Sequence, residues 1–208
     1  MVVQSKSAKR TMTIPSNLQH LSPLRAHLGD PAPAIRRPGL EIAEAAVTVQ
    51  VMLSGDLGAA DVVHAVAAAA GCTLSDRPNR RTGADPYAIW LAPDKRLLVS
   101  ETADRNKFRN DLAIALSGRF AGASDVTDGL AVLDLGGRRV ADLMAMACAL
   151  DLDPRSFGPD RSSRTLFADI PVVLYRQGDA GGFRLHADAS TIGHLWTWLD
   201  QAATAVAR

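Results

Sequence analysis

The chain has 208 residues, a formal net charge of +1 at pH 7, 47% hydrophobic residues and 22% charged ones. This is the balance of an ordinary globular protein, long enough for one medium domain or two small ones with a real core, and it excludes a nucleic-acid surface or an acidic tail. Cys72 and Cys148 lie far apart and form no CxxC pair, which excludes a disulfide scaffold and argues against a zinc site.

Residues 1–29 contain no acid and carry Lys6, Lys9, Arg10 and Arg25 among Ser, Thr and Pro, the composition of a mobile arm. They hold no apolar core of a signal peptide. No run in the chain approaches the length of a membrane-spanning helix, so a cytoplasmic protein is expected. Pro31, Pro33, Pro38 and Gly39 make 30–39 a linker or extended strap. The expected division is therefore an arm and strap over 1–40 and a folded domain over 41–208. Val47, Val49, Val51 and Leu53 share one side of a strand. Ser54-Gly55-Asp56 stops it, with Asp56 as candidate cap for an alanine-rich helix over 57–70 that Gly71 ends. After the polar loop SDRPNRRTGADP, the strands YAIWLA and RLLVSE meet at the hairpin turn Pro93-Asp94-Lys95. Thr102 or Asp104 can cap a helix to about Leu116, with Phe108, Leu112 and Leu116 on one face.

Gly118 to Gly122 breaks the pattern, and then the order recurs. Strand GLAVLDL leads through Gly136-Gly137 into a helix with Val140, Leu143, Met144 and Ala147 at helical spacing. The polar loop DPRSFGPDRSSR, strand IPVVLYR, turn QGDAGG and strand FRLHA follow. A last helix aligns Ile192, Leu195, Trp196, Leu199 and Ala203. The fold class expected is α+β: two pseudo-repeated β-α-β-β-α units, about 41–118 and 122–208, with mostly antiparallel sheets flanked by helices.

The chemistry is sparse. Gly136-Gly137, followed by Arg138 and Arg139, resembles a phosphate-holding turn at a helix N-terminus. It lacks both G-x-G-x-x-G and G-K-[ST], and a glycine at positive φ between two packed elements explains it. Its counterpart in the first half is Ser54-Gly55-Asp56, so no ligand is expected at the amides of Gly137 to Arg139. His64, His186 and His194 show no ligand spacing and read as surface or satisfied core residues. Cys148 among Met144, Met146 and Leu150 reads as a small apolar residue, and Cys72 sits at a helix end whose dipole disfavours a thiolate. The pairs Asp125/Asp128 and Asp151/Asp153 read as turn and cap chemistry. No catalytic, cofactor-binding or metal-ligating residue is therefore assigned. Two loops in corresponding places carry arginines, Arg77, Arg80 and Arg81 in one and Arg155, Arg161 and Arg164 in the other. They are solvated loops or a contact surface for an acidic partner.

Several stretches taken together resemble the gamma subunit of heterotetrameric sarcosine oxidase and of the related N-methylglutamate dehydrogenases. They are SPL at Ser22–Leu24, RPN before IWLAPDKRLLV at Ile89–Val99, DVTDGLAVLDLGG at Asp125–Gly137, ACALDLDPRSFGP at Ala147–Pro159, RTLFADIPVVLYR at Arg164–Arg176 and LWTWL at Leu195–Leu199. The resemblance implies the fold of the folate-binding region of aminomethyltransferases. It implies an accessory, non-catalytic subunit of a complex that oxidatively demethylates a secondary amine such as sarcosine. Its expected partners are larger flavin-binding alpha and beta subunits and a small zinc-binding delta subunit, with no nucleic acid and no membrane. FAD, FMN, NAD, zinc and tetrahydrofolate would sit on those partners and none on this chain. The K-G-C-Y-x-G-Q-E motif of one folate branch is absent. The family's Arg-Ser after the last strand is Ala189-Ser190, and its Pro-Asp-Glu-Trp turn is Pro93-Asp94-Lys95-Arg96. The alternative is a free-standing folate-binding or aminomethyl-transferring protein.

Overall fold

A computed structural model describes residues 23–29, 34–177 and 181–207. The arm over 1–22, residues 30–33 of the strap and residues 178–180 of the QGDAGG turn lie outside the described residues. Structure starts before the expected domain boundary. Helix α1 (Pro23–Leu28) and strand β1 (Ile35–Arg37) precede it, and β1 turns through Pro38-Gly39, with Gly39 at φ +77, into β2 (Leu40–Glu44). The boundary placed between residues 40 and 41 thus falls inside a hairpin. Ile35, Leu40 and Ile42 explain why: each is buried in the main core, so this segment is pinned by apolar contact and not merely stiffened by proline.

The first repeat contains β3 (Val49–Gly55), α2 (Ala60–Ala70), β4 (Arg81–Gly83), β5 (Tyr87–Ala92), β6 (Lys95–Ser100) and α3 (Arg105–Ala115). Strand β7 (Ala121–Asp125) follows. The second repeat contains β8 (Leu130–Gly136), α4 (Val140–Ala147), β9 (Ser162–Phe167), β10 (Ile170–Gln177), β11 (Gly182–Asp188) and α5 (Ile192–Val206). Each unit has one strand more than expected, β-α-β-β-β-α, because β4 lies inside one of the loops that read as polar and β9 begins inside the other. The sheet orders β4-β5-β6-β3 and β9-β10-β11-β8 correspond strand for strand. Each sheet is then extended past its first strand, by β7 next to β3 and by β2 and β1 next to β8. All pairings are antiparallel.

Helix boundaries follow local chemistry. Asp104 caps α3 as expected, its side chain accepting from the Lys107 N–H at 2.7 Å. Gly71, at φ +68, closes α2 with its N–H on the Ala67 carbonyl. Asp56 does not cap α2, which begins only at Ala60. Its side chain instead accepts from the Gly58 N–H at 3.3 Å, and its own N–H is held by the Phe120 carbonyl at 2.8 Å.

Period-two alternation then assigns the faces. Val49, Val51 and Leu53 pack with Val62, Val66, Phe108 and Leu112 of α2 and α3. Leu133, Leu135, Leu174 and Leu185 pack with Leu143, Met144, Leu195 and Leu199 of α4 and α5. A third cluster, Tyr87, Ile89, Leu91, Leu97, Val99 and Tyr175, lies between the two sheets. The layers run helix, sheet, sheet, helix, so the middle strands are covered on both faces.

Candidate functional site

The strand-to-helix turns come first, because the sequence raised them as anion sites. Gly137 has φ +107, and a Cβ placed on it would stand 2.3 Å from the Gly39 carbonyl oxygen. The Arg139 N–H donates to that same oxygen at 2.9 Å. In the first repeat Gly55, at φ +130, stands equally against the Phe120 carbonyl at 2.3 Å, and the Asp56 N–H takes that oxygen. The equivalent glycines are thus Gly55 and Gly137. In both repeats a carbonyl beside an added strand, that of Gly39 in the β1–β2 turn and that of Phe120 just before β7, stands against the turn where an anion would have to sit.

The side chains that do converge are the polar ones between the sheets, and none of them was singled out from the sequence as a group. Gln50 on β3, Tyr87 on β5, Tyr175 on β10, and Arg184 and His186 on β11 are all buried. Their hydrogen bonds have one consistent direction. The Leu130 carbonyl can only accept, so Gln50 Nε2 donates to it at 3.0 Å and Gln50 Oε1 must accept from His186 Nδ1 at 2.7 Å. His186 Nε2 then accepts from the Tyr175 hydroxyl at 3.2 Å, Tyr175 from Tyr87 at 2.7 Å, and Tyr87 from Arg184 Nη1 at 3.3 Å. Arg184 is anchored on Asp134 by two bonds of 2.6 and 2.9 Å and also pairs with Glu101. Gln177 Nε2 adds a bond to Asp134 at 2.6 Å. This seam stitches one sheet to the other through donors that each have an acceptor, the condition under which buried polar groups are tolerated.

Charge follows from burial. Desolvation raises the pKa of Tyr87 and, further, of Tyr175, so both stay protonated donors. Burial opposes the charge on Arg184, but the Asp134 and Glu101 carboxylates more than offset it and hold its pKa above the ordinary value. Burial first, and the Arg184 charge second, push His186 down from 6.5 to about 3. Below pH 6.5 the unfolded chain therefore takes up a proton that the folded chain refuses. The stability owed to neutral His186 is complete above that pH and is lost as pH falls towards 3, by up to about 1.4 kcal/mol per pH unit. Urea unfolding between about pH 6.5 and 5, where most carboxylates remain ionised, is expected to show this slope in the native protein. In His186→Gln the slope should be shallower by one proton; an unchanged slope would refute the assignment.

The six candidate partner-contact arginines fall in different places. Arg80 pairs with Asp160, and its backbone bridges that of Arg161, so the two arginine loops meet each other. Arg81 turns inward and lays its guanidinium over the Tyr87 and Tyr175 rings at 5.2 and 5.3 Å. Arg155 binds Asp153 at 2.9 Å in a local turn. Arg77, Arg161 and Arg164 are exposed. Asp125 and Asp128 are joined through Arg105, at 2.7 Å each, and Asp125 also holds its own turn through the Thr127 N–H. His186 is the satisfied core residue expected, while His64 and His194 are exposed. Cys72 and Cys148 are buried and free, and burial pushes the Cys72 thiol up to about 11.

The fold and the seam can be compared with known proteins. The model of the "Sarcosine oxidase, gamma subunit family" matches residues 54–205. The chain belongs to the sarcosine oxidase gamma subunit family. It is 32% identical to the sarcosine oxidase subunit gamma of Arthrobacter sp. over 142 residues, covering 67% of this chain and 68% of that one. To the subunit gamma of Corynebacterium sp. strain U-96 it is 33% identical over 140 residues, covering 66% and 67%. Among solved structures, the heterotetrameric sarcosine oxidase from Corynebacterium sp. U-96 in complex with pyrrole 2-carboxylate contains a chain similar at TM-score 0.78 and 30% identity, over 90% of this chain and 96% of that one. The aminomethyltransferase T of the glycine cleavage system from Bartonella henselae shares the fold, at TM-score 0.57 and 14% identity, over 85% of this chain and 48% of that one. The span matched to the sarcosine oxidase gamma subunit family includes Tyr87, Glu101, Asp134, Tyr175, Arg184 and His186, while Gln50 lies just before it. Among the described residues, no helix is long and apolar enough to cross a membrane.

Proposed function

We propose that this chain is the accessory, non-catalytic gamma subunit of a heterotetrameric, sarcosine-oxidase-like complex in the cytoplasm. That complex oxidatively demethylates a secondary amine such as sarcosine. The observation that carries the reading is the likeness to a chain of the heterotetrameric enzyme over 96% of that chain's length. The seam supports a structural role, since its side chains bond to each other across the two sheets. In this reading FAD, FMN, NAD, zinc and tetrahydrofolate belong to larger flavin-binding alpha and beta subunits and to a small zinc-binding delta subunit.

The test is co-expression of the full chain with those three subunits. Co-purification as one assembly is expected, while the chain alone shows no flavin absorbance and does not oxidise sarcosine. Failure to co-purify removes the reading. Calorimetric titration of the isolated chain with tetrahydrofolate is expected to give no saturable heat; saturable binding would favour a folate-binding protein instead.

A further inference from the structure

The two sheets are joined closely at one end. There Arg80 bridges Arg161, the Arg81 N–H donates to the Asp160 carbonyl at 2.8 Å, and the Ser162 N–H donates to the Asn79 carbonyl at 3.0 Å. Elsewhere between the sheets is a cleft of about 580 Å³, walled by Met52, Leu91, Leu97, Leu130, Leu166 and Val173. Leu166 is 53% exposed. Lys95 and Arg164 flank the cleft, and neither takes part in an ion pair among the described residues. The remaining charge on its lining, Asp188, is engaged by the N–H and hydroxyl of Ser190 at 2.8 and 2.6 Å.

The cleft is bordered by an open strand edge. β9 is the outermost strand of its sheet. Its two-residue turn at Ala168-Asp169 and its register with β10 make Phe167–Ile170, Thr165–Val172 and Ser163–Leu174 the hydrogen-bonded pairs. The backbone groups of Ser162, Arg164 and Leu166 therefore point outward. Asn79 takes the first of these N–H groups; among the described residues no backbone carbonyl takes the next two. Among the described residues, the Arg164 and Leu166 carbonyls accept only from the neighbouring hydroxyls of Ser163 and Thr165, at 3.3 and 3.4 Å. The residues that offer a free backbone edge are the same ones whose side chains line the cleft.

We propose that the β9 edge from Arg164 to Leu166 and the adjoining cleft receive an extended segment of a partner subunit, apolar where it enters the cleft and acidic where it meets Lys95 and Arg164. The added strand supplies main-chain bonds and alternate side chains fill the cleft, while charge complementarity sets its register. Residues 1–29 of this chain contain no acid and so lack the complement to the two cations. Two copies joined through β9 would bring the unpaired cations of one against those of the other. The inference rests on the subunit reading given above.

The test uses the full chain assembled with the flavin-binding subunits. Leu166→Glu and Arg164→Glu alter exposed side chains, and each is expected to weaken assembly at least about tenfold. In the native protein, amide exchange at Arg164 and Leu166 is expected to be fast in the isolated chain and to slow at least about tenfold on assembly. If the native chain assembles but both amides are unaffected and both variants assemble like it, the docking site is wrong while the subunit reading stands. If the amides are already slow in the isolated chain, its own arm or a second copy fills the edge and the proposal falls. If the native chain does not assemble at all, both fall. Should Leu166→Glu fail to fold, the exchange data decide alone.

Discussion

Arg184→Leu is expected to lower the unfolding free energy by about 3 kcal/mol, the lower end of the cost of breaking a buried ion pair from one side. Arg184 holds two oxygens of Asp134 and one of Glu101, and it also donates to Tyr87. Glu101 is 44% exposed on its side chain and can turn to solvent, and Tyr87 keeps Tyr175. The loss therefore falls on Asp134, whose side chain is only 33% exposed and would keep Gln177 alone. Removing both charges together should cost much less than the sum, because no carboxylate is then left without its counter-ion. Urea titrations of R184L, D134L and the double variant measure this directly. A double variant as unstable as the two single losses added would show that the pair is not coupled.

Gly137→Ala is expected to cost more, about 3 to 5 kcal/mol, from a disfavoured backbone angle together with overpacking. The new Cβ would sit 2.3 Å from the Gly39 oxygen, a backbone atom that can move only if the β1–β2 hairpin shifts off β8. Gly136→Ala serves as the contrast, since a Cβ there meets nothing within 4 Å. Chemical denaturation should separate the two adjacent substitutions by several kcal/mol, a large share of a domain's total stability. Near-equal stabilities would mean that the hairpin does not bind this turn.

The difference between those neighbouring glycines marks what the amino-acid sequence could and could not disclose. Apolar runs and spacing located β3, β5, β6, β8, β10, β11 and helices α3, α4 and α5, alanine content located α2, and the order of elements revealed the duplication. Two strands were missed beside the proline-rich strap, β1 and β2, although Leu40 and Ile42 of β2 alternate around Glu41; the others carry little strand signal of their own. RTG and AGASD contain hardly any residue that favours a strand, and they are extended because a neighbour pairs with them. SSRTLF buries only its ends, as an outermost strand can. The same physics hid the seam. In a sheet with one wet face, the polar residues of VQVML or FRLHA point to solvent, and that is the ordinary reading of alternation. Two sheets face to face bury both sides, so Gln50, Arg184 and His186 become interior groups that need partners. The available signal was that β11 carries Arg and His at the same parity, matched across the sequence by tyrosines in β5 and β10. The arginine loops were found by sequence correspondence, but only the three-dimensional pairing of Arg80 with Arg161 shows that they are one place.

The β1–β2 hairpin sets synthesis order against assembly order. It is synthesised before the first repeat, yet β2 pairs with β8, whose residues Leu133–Gly136 are made only after that repeat is complete. The first repeat, by contrast, gains its extra strand β7 immediately after α3, so its sheet can close while the second repeat is still being translated. Until β8 arrives, Leu40 and Ile42 have no sheet to cover. The nascent chain thus carries an unsatisfied apolar hairpin through the synthesis of the whole first repeat, and that is the window in which a chaperone or an unwanted partner would find it.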